Sequence, residues 1–256
     1  MQKYLANLKL GFYRYRQYPM EFLFTLIKRL LQIFFIVVFW EIIGSETGDK
    51  PLIELVIYFI LFNATADLIM AQTFSLGDKI ARMIHTGELN NVLIKPVNPQ
   101  LYIYSKNIGT LMPLIFVSTT ALGILIAIGQ LKLVHIPFFL VYLLIAIGIG
   151  IGLNSILASF AFYFTKIFGL REIFKYTTRI FSGSFIPIYF MPDILVTILD
   201  YSFLSYVGYK PVLMMLGMLT PTVKDLSIGI FWVILITLTS RLFWSKSIGK
   251  YEAYGI

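Results

Sequence analysis

Asn63 and Asp67 are the polar residues set deepest in apolar surroundings, four positions apart in the run Leu52 to Phe74. At that spacing they share one face of a helix. An ionisable side chain inside a membrane is costly enough to carry a functional reading by default. The pair either lines a path for cargo or pins a contact between helices. Because an amide and a carboxyl partly satisfy each other, packing is the favoured of the two. Gln32 and Glu41, in the preceding apolar run, are the alternatives. Other chemistry is missing. No Gly-x-x-x-x-Gly-Lys-Ser/Thr occurs, so the chain has no nucleotide-binding P-loop of its own. There is no His-Glu-x-x-His and no Ser-His-Asp set. The two histidines, His85 and His135, fall in different polar breaks, so no metal site is expected. With no cysteine there is neither a disulfide framework nor thiolate chemistry. No catalytic residue is expected, and the chain is not expected to be an enzyme.

The surroundings of these residues define the class. The 256 residues are 58% hydrophobic and 13% charged, where a soluble domain carries about 25% charged residues. The sequence therefore predicts an all-α polytopic membrane protein with a single domain over residues 1–256. Six apolar runs are each near the 20 residues or so needed to cross a hydrocarbon core of about 30 Å. They are Phe22 to Ile43, Leu52 to Phe74, Leu101 to Gly129, Pro137 to Phe164, Leu170 to Phe190 and Leu226 to Trp244. The fifth carries Arg171, Glu172, Lys175 and Arg179 in its first half, at the cytoplasmic face or along an aqueous path. The fourth carries Gly148, Gly152, Ser155 and Ser159 at helical spacing, which reads as a close helix–helix seam.

The net charge of +8 does not point to nucleic acid, because the basic residues cluster in the breaks between runs. With the N-terminus inside, about 17 Lys and Arg lie on inner segments and four, Lys50, Lys132, Lys210 and Lys224, on outer ones. That bias places both termini and the loop Leu76 to Gln100 in the cytoplasm. Residues 1–19 read as a basic, aromatic interfacial helix, with Tyr4, Leu5, Leu8, Phe12 and Tyr15 on one face. No secretory signal peptide precedes the first run. The loop 76–100 has a helix-like middle, with Ile80, Met83 and Ile84 at helical spacing, and ends in proline stops. It is longer than a connector needs to be, and reads as a docking element or as a solvated loop with one interfacial turn. The outer region 182–218 is apolar but broken by Gly183, Pro187, Pro192, Gly208 and Pro211. Pro192-Asp193 reads as a helix start, and Lys210-Pro211 as another. Helices this short do not span, so the region is expected to form re-entrant or interfacial helices at the extracellular mouth.

Three segments carry a family resemblance: Gly-Glu-Leu-x-x-x-Leu-Ile-Lys-Pro-x-x-Pro from Gly87 to Pro99; Ser182-Gly183 with Pro187, Pro192 and the later Tyr209-Lys210-Pro211; and Trp244 followed by Tyr251-Glu252-Ala253-Tyr254-Gly255. In this order they resemble the ABC-2 type transporter permeases, in particular the single-domain ABC-2 family branch that includes viologen-exporter-like permeases. The chain ends in Gly-Ile where Gly-Gly is expected. The resemblance implies the transmembrane subunit of a type V ABC exporter in a prokaryotic cell membrane. Two permease chains, identical or sister chains, would pair within membrane lipid and be driven by two separate ATPase chains. ATP and magnesium would be bound by that partner, with no cofactor in this chain. The resemblance also implies a coupling helix over Asp78 to Asn91, with Asp78, Arg82 and Glu88 among its polar positions and Met83 and Ile84 as apolar anchors. Gly183, Pro187 and Pro192 would mark an extracellular gate region. The expected cargo is hydrophobic or amphipathic: a drug, toxin, peptide or lipid. A lipid-linked polysaccharide exporter is the alternative within the fold, and an ion-coupled secondary transporter using Asp67 lies further off.

Overall fold

The computed structural model describes Ala6, Tyr13 and residues 19–47, 52–73, 75–164 and 167–250, and every regular element among them is a helix. In chain order these are α1 (Pro19–Thr47), α2 (Leu52–Thr73), α3 (Ser75–His85), α4 (Asn90–Leu93), α5 (Pro99–Ala127) and α6 (Ile136–Phe160). They are followed by α7 (Phe168–Phe181), α8 (Asp193–Tyr201), α9 (Phe203–Tyr206), α10 (Tyr209–Leu216) and α11 (Val223–Ile248). Short 3₁₀ turns at Leu133–His135 and Ile188–Phe190 complete the set. The expected interfacial helix over residues 1–19 falls almost wholly outside the described residues, as does the Tyr251 to Gly255 motif.

Helices α1, α2, α5, α6 and α11 hold 22 to 29 residues each. At about 1.5 Å per residue each is long enough for a hydrocarbon core. Two stretches, Leu133–Phe160 and Val223–Ile248, are long and apolar enough among the described residues to cross a membrane on that ground alone. The expected fifth run, Leu170 to Phe190, is corrected: α7 ends at Phe181 after 14 residues, about 21 Å. The chain turns at Gly183, whose φ of +87° lies in the left-handed region that side-chain-bearing residues avoid.

The distribution of polarity is that of a protein solvated by lipid. α1 turns the large apolar side chains Phe24, Leu30, Phe35 and Phe39 outward, as a helix facing lipid does. Inside, aromatic residues fasten α1 and α2 to the segment after α7. Trp40 stacks on Phe190 at 4.8 Å between ring centroids and donates its indole N–H to the Phe185 carbonyl at 3.1 Å. Helix α6 is the central element, packed against α2, α3, α10 and α11.

The seam between α6 and α11 depends on the small residues that the sequence places there. A Cβ on Gly148 would stand 3.1 Å from Val233, and one on Gly152 only 2.6 Å from the Ile236 side chain with its backbone close behind. One and two turns on, Ser155 meets the Tyr104 hydroxyl at 2.9 Å and Ser159 donates to the Ser155 carbonyl. The seam reading therefore holds for Gly148 and Gly152 against α11, whereas Ser155 faces Tyr104 of α5. Gly152→Leu should force α11 away from α6 and destabilise the chain by about 1–3 kcal/mol. Thermal unfolding of the purified protein in mild detergent reads that loss. A wild-type melting curve would mean the two helices are not packed this closely.

Candidate functional site

On the side that the charge bias assigns to the cytoplasm, α3 lies across the ends of three longer helices. Ile80 and Ile84, one turn apart, are buried together with Leu89, Ile103 and Tyr104 on α5, Ala158 on α6, Ala161, Ile167 and Trp244 on α11. A left-handed turn at Gly87, with φ of +71°, reverses the chain after α3. The Leu89 amide then donates to the Met83 carbonyl at 3.1 Å. After α4, Asn98 caps α5: its side-chain oxygen accepts from the Leu101 amide at 3.2 Å, with Pro99 in the first turn. Lys95 donates to the Tyr102 hydroxyl at 3.1 Å. The Gly87 to Pro99 segment is thus a built turn–helix–cap unit.

The coupling positions separate by what they touch. Arg82 and Glu88 are exposed, Met83 is half-buried and Ile84 is buried. Ile84 anchors α3 to this chain's own body. Asp78 belongs to α3, but its side chain lies outside the described residues. Further contacts run inward from α3. The Tyr104 hydroxyl donates to the Ile151 carbonyl at 2.9 Å, joining α5 to α6 directly beneath the docked helix.

The other end carries an ion network that the sequence reading did not assemble. Lys210, counted there simply as an outer charge, is 1% exposed. Its ammonium bonds the Asp225 carboxylate, the Asp200 carbonyl at 2.8 Å and the Asp200 carboxylate at 3.0 Å. It also sits 4.1 Å from the centre of the Tyr206 ring. Asp225 accepts from the Tyr142 hydroxyl on α6, and from the Tyr206 hydroxyl at 2.8 Å. It lies in the first turn of α11, where the helix dipole favours a carboxylate, and its own amide is capped by Thr222 at 3.1 Å. Burial, then the neighbouring Asp225, pushes the Tyr206 phenol above its ordinary pKa, so it stays protonated and donates. The three N–H groups of Lys210 face three acceptors, which leaves none for cargo. The network is a clamp joining α8, α10, α6 and α11. The sequence signals that point to it are a single Lys in an otherwise apolar stretch and a Thr-x-x-Asp start to the last long helix.

Of the residues expected at an extracellular gate, Gly183 lies against Tyr58 of α2 and against Tyr209, the neighbour of Lys210. The Tyr58 hydroxyl on α2 donates to the Gly183 carbonyl at 2.8 Å. A Cβ at Gly183 would stand 2.6 Å from that hydroxyl. Pro187 is buried, whereas Pro192 is exposed and its carbonyl receives the first amides of α8, from Leu195 at 2.8 Å and Val196 at 3.1 Å. The helix starts expected at Pro192-Asp193 and near Lys210-Pro211 are present as α8 and α10. Lys210 through Met215 of α10 are all buried, against α2 and α6. Asn63 is also buried and donates to the Phe59 carbonyl at 2.8 Å; the Asp67 side chain lies outside the described residues. Among the described residues no group of His, Cys, Asp and Glu is arranged to hold a metal ion.

No curated protein matches the chain. The family model described as ABC-2 family transporter protein matches residues 26–255, from the first long helix through the closing segment. That span takes in the docked α3, the turn at Gly183 and the Lys210–Asp225 clamp alike, and the chain belongs to the ABC-2 transporter family as a membrane component.

Proposed function

We propose that this chain is the permease subunit of an ATP-driven exporter, moving a hydrophobic or amphipathic compound outward with energy from a separate pair of ABC ATPase chains. The observation that carries the reading is α3. Its apolar side is buried in the chain's own body through Ile80 and Ile84, while Arg82 and Glu88 project beyond it. A partner gripping those polar groups would move α3 as a rigid piece, and α5, α6 and α11 beneath it. Such a movement biases an equilibrium between inward- and outward-facing states. A floppy loop could not transmit it. In this reading α1, α2, α5, α6, α7 and α11 are six membrane crossings. Helix α7 is completed by the segment after Gly183, and α8 to α10 are re-entrant elements of a type V arrangement. Two permease chains face each other in a prokaryotic inner membrane, with both termini inside. ATP and magnesium stay with the partner.

Glu88→Lys tests the coupling directly. The residue is exposed, so the variant should fold and reach the membrane as the wild type does. ATP hydrolysis by the reconstituted complex should lose its dependence on cargo, and transport should fall by about tenfold or more, as reversal of one interfacial charge changes an affinity by that order. Undiminished transport in proteoliposomes would remove Glu88 from the interface.

A further inference from the structure

Helix α8 presents three kinds of surface. Leu195, Val196 and Leu199 turn inward, half-buried or buried. Asp193, Thr197 and Asp200 form an exposed polar side. Ile194, Ile198 and Tyr201 share a third side by helical spacing. It is apolar and exposed, the two isoleucines 71% and 60% accessible. A surface helix in water needs one apolar side, toward the core; α8 has two. Two observations say what covers the second. The first is how the C-terminal end of α8 is closed. The carbonyls of Leu199, Asp200 and Tyr201 accept from the Ser202 amide at 3.0 Å, the Lys210 ammonium at 2.8 Å and the Trp232 indole N–H at 2.8 Å. A helix end against hydrocarbon needs such internal donors, whereas one bathed in water can leave its last carbonyls to the solvent. The second is continuity with α11. Trp232 ties α8 to that helix, whose exposed side carries Phe231, Ile234, Leu235 and Leu238 and which is long and apolar enough to cross a membrane. Lys224 stands at the top of the junction, bonded to the Tyr201 hydroxyl at 2.8 Å and 4.9 Å from the centre of its ring. Lysine, tyrosine and tryptophan gathered together mark the boundary between headgroups and acyl chains.

We infer that the Ile194, Ile198 and Tyr201 side of α8 is seated in the lipid leaflet at the clamp end of the membrane, with the isoleucines among the upper acyl carbons and Asp193 and Thr197 toward water. Of the three short helices α8, α9 and α10, α8 is then the one held by lipid. Its Asp200 carries that contact directly to Lys210, so the clamp is steadied by the membrane on one side and by α6 and α11 on the other. This requires α11 to cross the membrane and stands independently of the exporter reading.

The chain has no cysteine, so single cysteines take a nitroxide spin label cleanly. Ile194→Cys and Ile198→Cys place the label on the apolar side of α8, Asp193→Cys and Thr197→Cys on its polar side, and Ile234→Cys on the exposed side of α11 as the lipid reference. The full chain, with whatever subunits accompany it, is labelled and placed in phosphatidylcholine vesicles. Power saturation then compares relaxation by oxygen, which concentrates in lipid, with relaxation by a water-soluble nickel chelate. Labels at 194 and 198 should be relaxed chiefly by oxygen, at the depth of about 5–10 Å that an interfacial helix reaches. Labels at 193 and 197 should be relaxed chiefly by nickel. Nickel relaxing positions 194 and 198 as strongly as 193 would mean that the stripe faces water, and overturns the inference. Labels at 194 and 198 shielded from both agents, with dipolar broadening between copies, would mean that a second copy covers the stripe, and overturns it too. An Ile234 label reached by nickel would remove the membrane crossing of α11 and the inference with it. No step uses ATP, so a missing ATPase partner would count against the exporter reading and leave this result standing.

Discussion

Replacing Lys210 with alanine should cost about 3–5 kcal/mol of stability, the range for removing one partner of a buried ion pair. The ammonium is buried and serves the Asp225 carboxylate, the Asp200 carbonyl and the Asp200 carboxylate together. Without it, Asp225 keeps its two tyrosine donors but loses its cation, with its side chain only 15% exposed. The cost therefore comes from a stranded carboxylate more than from the lost attraction itself. Lys210→Met combined with Asp225→Asn separates these contributions. The methionine fills the volume, and the amide oxygen still accepts from Tyr142 and Tyr206. The double variant should recover more than half of the loss, because the one carboxylate left without its cation is then the exposed Asp200. Denaturant or thermal unfolding in mild detergent gives the comparison. A Lys210→Ala protein within about 1 kcal/mol of wild type, the scale of an exposed pair, would mean that the clamp is solvated and holds nothing together.

The second large effect is expected at Gly183. Alanine there must adopt a left-handed backbone, at about 1–2 kcal/mol. Its Cβ also meets the Tyr58 hydroxyl at 2.6 Å. Pushing that hydroxyl off the Gly183 carbonyl leaves a buried donor without its acceptor, worth about 1–3 kcal/mol. Gly183→Ala should thus lose about 2–5 kcal/mol in all, and Tyr58→Phe alone about 1–3. Because both changes break the same bond, the double variant should cost less than the two single losses added together. Unfolding curves for the four proteins settle the cycle. Strict additivity would show that Tyr58 and Gly183 do not meet.

Much of this arrangement can be read from residue order. The long helices follow from apolar runs of sufficient length, and their starts at Pro99, Ile136 and Val223 fall within three residues of those expected. Helix α3 follows from the spacing of Ile80, Met83 and Ile84, and its end from Gly87. Periodicity gives the face of a helix but not what that face touches: Ile84 has the same spacing whether it docks a partner or, as found, this chain's own α5, α6 and α11. The shortening of α7 was hidden because Phe185, Ile186 and Ile188 continue the apolar run past the turn, and hydropathy does not register a positive φ. The clamp was hidden for another reason. Lys210 and Asp225 are 15 residues apart, separated by the end of α10 and the loop into α11, so no helical or strand period relates them. Only the folded path brings the Lys210 ammonium onto the Asp225 carboxylate, which Tyr142 of α6 also meets.

In the exporter reading a soluble ATPase grips α3. Purifying the chain from its native membrane in mild detergent, and identifying by mass spectrometry what accompanies it, tests that most directly. A stoichiometric chain bearing a P-loop should come with it, alongside one permease species or two. A stable oligomer of this chain alone, with no nucleotide-binding partner at any stoichiometry, would contradict it.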